Sequence, residues 1–307
     1  MKNTAKHAGV AHARVSRIKR GGINGLTAQI ILIATLSVIV LLTLMPVLIT
    51  LGLSLKTERD ISIGSLWSLP TTIQWENYSF AFQAVLPNMG ITLFIDIVSV
   101  LAMTMISSFT AYIFVRKRFP GRNLLFYLVI LPMLVPGVVS LTPQYLNIIE
   151  MNLLGSWWAV ILPYVAGNQI ASVFLFRTFM AQQPADLYEA AEIDGAGDFR
   201  MYLSISLPLA FGIIMVQAVS IFSAIYNDYL WPLMIFMHNP EHGTLMPVLK
   251  DLATQASQMI LPGTENIMAG RGATYALYLV SGVPLVISTI VGLKFFIDGE
   301  FASGMKL

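Results

Sequence analysis

The chain contains no cysteine. That excludes disulfides, a thiolate nucleophile and Cys-ligated metal. Charge is also scarce: only 11% of the 307 residues are Asp, Glu, Lys or Arg, against about a quarter in an ordinary soluble domain. No G-x-x-x-x-G-K-[ST] loop, H-E-x-x-H pair or serine nucleophile elbow occurs. The usual ATP-binding motif, a zinc-protease centre and an esterase centre are therefore all missing. His238 and His242 stand four apart, but Pro240 lies between them and no third ligand is in frame. They read as a solvated loop pair, and no metal site is expected.

Apolar sequence is abundant, at 56%. A soluble core of this size could not enclose so much, whereas a bilayer accepts it. The expected fold is all-α and polytopic, with six transmembrane helices. The apolar segments fall at roughly 27–55, 88–115, 123–147, 157–178, 207–236 and 273–296. The uncharged run from Gly21 to Leu55 is longer than a signal-peptide core and reads as a retained first span. Residues 1–25 read as a mobile basic tail.

Orientation follows from Lys and Arg. With the N-terminus inside, 14 of the 18 basic residues fall on the inner side, including Arg116, Lys117, Arg118 and Arg122 between spans 2 and 3. Only Lys56, Arg59, Lys250 and Arg271 lie outside. Both termini are thus expected in the cytoplasm. Two external segments, about 56–87 and 237–272, read as short amphipathic helices and turns, the first lying along the membrane face. Pro132, Pro136, Gly137 and Pro143 in span 3, with Pro163 and Gly167 in span 4, fit either ordinary kinks or a translocation cavity.

The inner segment after span 4 runs from Gln183-Pro184-Ala185-Asp186 to Gly195-Ala196-Gly197. Asp186 as N-cap with Glu189 three residues on has capping-box spacing. Leu187, Tyr188, Ala190, Ala191 and Ile193 supply a short helix, and Gly195 suits the left-handed position that ends it. Two turns are unstable alone in water. Leu187, Tyr188 and Ile193 could anchor in a partner, or the helix could pack on its own protein.

Glu189-Ala190-Ala191, then Gly195, then Ile205-Ser206-Leu207-Pro208 resembles the EAA loop of binding-protein-dependent ABC importer permeases. The resemblance covers nearly the whole chain and is closest to the maltose-type subunit of the carbohydrate branch. Pro143-Gln144-Tyr145-Leu146, Trp158 to Pro163, Asn227-Asp228-Tyr229-Leu230-Trp231-Pro232-Leu233 and Phe296-Ile297-Asp298-Gly299 carry it. Tyr226, Thr244 to Val248 and the ending Met305-Lys306-Leu307 depart from the family pattern.

The resemblance implies a type I importer permease core at 88–300, with a coupling loop at about 179–206. Residues 26–87 form the first span and external segment, and 301–307 a cytoplasmic tail. It implies that Asp186, Leu187, Tyr188, Glu189, Ala190, Ala191, Asp194, Gly195 and Pro208 couple to an ABC ATPase dimer. A second permease subunit, an external sugar-binding protein and membrane lipid are the other implied partners, in a bacterial or archaeal plasma membrane. Nucleic acid is not expected. ATP and magnesium belong to the ATPase, so this chain is a non-catalytic subunit.

Sugar hydroxyls need directional polar groups and sugar C–H faces stack on rings. Asn168, Gln169, Gln217, Asn227 and Asp228 are candidates for the substrate pathway. Trp231 and Tyr229 also fit an interfacial aromatic belt. Asp96 is the only acid in span 2, and reads as lining the cavity or as a proton relay. The alternatives are an ABC permease for another solute such as glycerol phosphate, an ion-coupled secondary transporter, or a membrane-embedded enzyme.

Overall fold

The computed structural model describes residues 26–256 and 270–304. The basic tail and the segment 257–269 lie outside the described residues, and so does the 305–307 end. The described residues are helical, with no strand among them. Among the described residues four helices are long and apolar enough to cross a membrane, and up to six crossings result when each of two bent pairs counts as one span.

The chain divides after Ile49 into two compact units. The first holds the greater part of the apolar helix α1 (Leu26–Ser54), whose side chains are exposed from Ala28 to Leu48. The second unit is built on α3 (Glu76–Arg116). Its 41 residues make about 60 Å of helix, near twice a hydrocarbon core. The helix that carries span 2 therefore starts at Glu76 and extends well beyond the apolar segment that begins near residue 88. α3 packs along α6 (Trp158–Met180) and α13 (Gly270–Gly304), and α10 (Phe211–Tyr226) packs on α13 and α3.

Two expected spans are broken rather than continuous. α4 (Arg122–Ile130), with a 3-10 turn to Leu134, meets α5 (Gly137–Glu150) at 101°. The cause is local: Val135 precedes Pro136 and is pushed to extended backbone, φ −93° and ψ 123°. The second pair, Asp198–Leu209 with its short helices α8 (Asp198–Met201) and α9 (Leu207–Leu209), and Phe211–Tyr226, bends by 76°. There Pro208 lacks the N–H that a helix needs, and a π turn (Tyr202–Ser206) precedes it. Span 5 also stops at Tyr226. The helix α11 (Leu230–Phe236) starts afresh, capped by Asp228 Oδ1, which accepts from Leu230 N at 3.0 Å and Trp231 N at 3.4 Å. Pro143 and Pro163, by contrast, sit inside continuous helices.

The segment between α1 and α3 is inside-out. α2 (Glu58–Ile63) is followed by turns. Lys56 is 1% exposed, and its Nζ donates to Ser65 O at 3.1 Å and Ser68 Oγ at 3.0 Å. Buried Asp60 accepts from Thr71 Oγ1 at 2.9 Å and Thr71 N at 3.2 Å. These bonds, the hydroxyl's first, hold its carboxyl below the ordinary aspartate range. Meanwhile Ile63, Leu66, Trp67, Leu69, Ile73 and Trp75 are exposed.

The same segment grips the start of α13. Glu58 accepts from Arg271 N at 2.7 Å and from Arg271 Nε at 2.8 Å, and Arg271 Nη2 donates to Ser62 Oγ at 2.7 Å. Partial burial disfavours the charged form of Glu58, but the Arg271 hydrogen bonds and charge outweigh it and hold the carboxyl below the ordinary glutamate range. The sign follows: a depressed folded pKa adds stability above the unfolded value, and that stability is lost as pH falls through the folded value. Arg271→Ala should lower the melting temperature in detergent at neutral pH, and the two melting curves should converge below the glutamate range.

At the same end, Asn88 Nδ2 donates to Gly243 O at 2.9 Å, tying the loop before α12 (Leu245–Gln255) to α3. Thr92 Oγ1 accepts from Leu245 N at 2.8 Å. Within the two segments expected to be external, the structure has α2 and α12.

Candidate functional site

At the opposite end of α3 lies a basic turn, Arg116 to Arg122, and against it the short helix α7 (Asp186–Ile193). α7 is the two-turn helix the sequence implies, but its start differs. Ala185 occupies the N-cap position, accepting at its carbonyl from Tyr188 N at 2.9 Å and Glu189 N at 3.1 Å. Asp186 is therefore the first helical residue and makes no cap bond, so the capping box is not formed. Asp186 and Glu189 still place negative charge in the first turn, where the helix dipole favours it.

The far end is as the sequence implies. Gly195 has φ +75°, a conformation that costs glycine nothing. Gly195 N donates to Glu192 O at 3.0 Å and Ala196 N to Ala191 O at 2.9 Å, which is the paired bonding of a Schellman stop.

The faces of α7 divide sharply. Tyr188 is only 5% exposed and is turned into its own chain, not outward. The Arg116 guanidinium stacks over its ring, 3.4 Å from the centroid, a cation–π contact. Its hydroxyl donates to Gln183 Oε1. Ala191 is half-buried. Leu187, Glu189, Ala190, Asp194 and Gly195 are exposed, and Ile193 is 87% exposed. Pro208 lies exposed just beyond the π turn.

Gln183 is buried beneath the helix. Its Oε1 also accepts from Ser206 Oγ at 3.2 Å, and its Nε2 donates to Ser206 O at 3.1 Å. Its backbone carbonyl accepts from Arg116 Nη2 at 3.2 Å. Tyr202, in the π turn, shares a hydrogen bond with Ser108 of α3 at 2.8 Å, and its ring meets Phe109 edge-on at 5.1 Å. An ion pair joins Lys117 to Asp198. Beside these lies an open cleft of about 480 Å³ whose lining includes Arg116, Lys117, Arg118, Arg122, Glu189 and Glu192.

The pathway candidates are largely tied to one stripe of α6. Tyr164, Asn168 and Ser172 stand at i, i+4 and i+8. Asn168 Nδ2 donates to Tyr164 O at 2.9 Å, Ser172 Oγ to Asn168 O at 2.8 Å, and Gln217 Nε2 to Ser172 Oγ at 3.2 Å. Tyr164 donates its hydroxyl to Asp228 Oδ2 at 2.8 Å. Asp228 thus spends both oxygens on the protein. Gln169 is half-buried on the same helix. Asn227 is exposed, and its Nδ2 donates within its own turn, to Ser223 O at 2.7 Å.

Asp96 is fully enclosed, and neither carboxylate oxygen has a hydrogen-bond partner among the described residues. It does not line an open cavity. Among the described residues no group of three His, Cys, Asp or Glu gathers to hold a metal. In the sequence Arg116, Gln183 and Ser206 stand only as members of the basic loop and the EAA segment, with no role of their own, and Tyr164 and Ser172 are not singled out. The i+4 spacing of Tyr164, Asn168 and Ser172 is the local signal for the last two.

Comparison with known proteins agrees with this architecture. Residues 103–296 match the family described as binding-protein-dependent transport system inner membrane component. A putative ABC transporter permease protein of a Caldicellulosiruptor strain is 30% identical over 88% of this chain and 94% of its own length. The sn-glycerol-3-phosphate transport system permease protein UgpE of Yersinia pestis is 33% identical, over 85% of this chain and 91% of its own. The diacetylchitobiose uptake system permease protein NgcG of Streptomyces coelicolor is 29% identical, over 80% and 78%. In fold, a chain from the crystal structure of a bacterial ABC transporter involved in import of the acidic polysaccharide alginate superposes with a TM-score of 0.72. It covers 87% of this chain and 96% of that one at 18% identity. With its EAA helix, its bent spans and a family match over most of its length, this chain belongs to the binding-protein-dependent transport system inner membrane components, the permeases of ABC importers.

Proposed function

We propose that this permease forms one half of the pathway of a carbohydrate importer, and that α7 is the helix through which an ABC ATPase drives it. The observation that carries the reading is the exposure of α7. An eight-residue helix is too short to be stable unsupported, and it holds Leu187 and Ile193 out into solvent. A separate subunit that buries them would complete the helix. The basic turn beside it lies in the cytoplasm by the positive-inside rule, and both termini with it.

A second permease of related fold supplies the other half of the pathway. Two ATPase subunits bind ATP and magnesium, and a binding protein delivers the solute at the Glu58–Arg271 end. This chain carries no catalytic step. ATP-driven closure of the ATPases draws the α7 helices together, and the spans respond by alternating access, each state favoured by what it binds. Lipid faces the exposed Trp67, Leu69 and Trp75, in the interfacial zone that tryptophan favours. Nucleic acid is no partner.

Carbohydrate is supported by the resemblance along spans 3, 5 and 6 and by the diacetylchitobiose relative. A phosphorylated polyol is the second reading, favoured by the glycerol-phosphate relatives at 33% identity.

Co-purification tests the assignment. Tagged chain should bring down an ATPase, and Glu189→Lys or Gly195→Asp should abolish ATP-dependent uptake. An isolated chain that transports without ATP, and fails on Asp96→Asn, would instead establish the ion-coupled alternative. The ligand of the accompanying binding protein decides between sugar and phosphorylated polyol.

A further inference from the structure

The structure assigns Gln183 as the positioning residue that makes α7 move as one body with spans 2, 4 and 5. The inference rests on the proposed coupling role of α7 and adds how motion at that helix enters the membrane.

Gln183 lies three residues beyond the end of α6 and three before α7. Every polar group of its side chain is used. The Nε2 group donates to Ser206 O, while Oε1 accepts from both Ser206 Oγ and Tyr188 Oη. Its own carbonyl holds Arg116, whose guanidinium covers the Tyr188 ring. One buried residue, through its side-chain amide and its backbone carbonyl, therefore joins four pieces: the end of α6, the first turn of α7, the end of α3 and the π turn before Pro208. The Ser206 carbonyl takes a second bond, from Ala210 N at 3.0 Å, at the bend that opens α10.

A π turn is where a helix has an irregular, displaceable carbonyl ladder, and such turns gather at functional sites. Here it is the place where a side chain outside the helix inserts its bonds. The second link is Tyr202 to Ser108, from the same turn to α3. A push on Leu187 or Ile193 is thus delivered through Tyr188 and Gln183 to Ser206, and through Arg116 to α3. Buried polar groups so connected hold one arrangement, because breaking any link strands a donor or acceptor away from water.

The two parts of the idea separate experimentally. The full transporter is reconstituted in vesicles with its ATPase, second permease and binding protein, and solute moved per ATP hydrolysed is measured. Gln183→Leu keeps the size and removes all three side-chain bonds, whereas Tyr188→Phe removes one hydroxyl. Both should assemble with the ATPase and hydrolyse ATP. The transport-to-hydrolysis ratio should fall about tenfold for Gln183→Leu and by less for Tyr188→Phe, in the range of ordinary coupling free energies. A residue that only stabilised the fold would lower yield and leave the ratio unchanged, and an unchanged ratio overturns the inference. If Gln183→Leu does not accumulate, Tyr188→Phe and Ser206→Ala decide it by the same ratio. Ile193→Asp tests the underlying role of α7: if that variant still binds the ATPase and transports, the coupling reading fails whatever Gln183 does.

Discussion

The double substitution Leu187→Asp and Ile193→Asp should leave the permease folded and weaken its association with the ATPase by roughly 10²–10⁴-fold. The range comes from two apolar side chains, each worth about 1.5–3 kcal/mol when fully buried. Ile193 is 87% exposed and Leu187 46%, so Ile193 adds little to this chain's own packing and Leu187 leaves nearly half its surface free. Charges placed there meet water in the free subunit and an apolar cleft in the complex. The expected readout is full-length permease in the membrane at normal yield with no ATPase in the tagged eluate. Tyr188 behaves differently, because its ring is engaged by Arg116 within the chain. Tyr188→Asp should lower yield as well.

The second large effect is at Gly272. An added Cβ would stand 2.6 Å from Asn77 Nδ2 and 2.6 Å from the backbone carbonyl of Lys56. No real Cβ tolerates that, and the carbonyl cannot swing away as a side chain could. Asn77 is buried and donates to Ser54 O at 2.9 Å and to Lys56 O at 3.2 Å, so displacing it breaks two bonds at once. Overpacking costs about 1–3 kcal/mol and each lost bond about 1 kcal/mol. Gly272→Val should therefore cost about 3–5 kcal/mol, a large part of a typical folding free energy. Thermal melting in detergent should drop sharply and yield should fall. Gly282→Ala is the control: nothing lies within 4 Å of its added Cβ, and it should melt as the parent does.

What the sequence revealed follows from the range of the interactions involved. Gly195 was legible because the left-handed stop of a helix is a one-residue requirement. The apolar spans were legible because twenty residues of oil need no partner to be recognised. The bends were half legible: Pro136 announces that Val135 leaves the helix, but the 101° between α4 and α5 depends on packing. The N-cap went wrong at Asp186 because burial of Tyr188 accompanies a helix that begins one residue earlier, at a carbonyl rather than a carboxylate. Span 5 read as continuous because its mean apolarity hides Asp228, whose carboxylate restarts the helix. The N-terminal extension of α3 was not legible because Glu76, Asn77 and Gln83 interrupt the apolar pattern, although they lie on the same helix, held by Asn77. Long-range pairs were invisible. Gln183 and Ser206 are 23 residues apart, Glu58 and Arg271 are 213, and nothing in either neighbourhood names the other.

The central claim is that α7 touches the ATPase. The chain has no cysteine, so a single Ile193→Cys introduces the only thiol. In the assembled transporter, a thiol-directed crosslinker of short reach at this position should join the permease to the ATPase subunit, identified by mass. An adduct with the second permease or the binding protein, or a thiol that stays freely reactive in the active complex, would contradict the account.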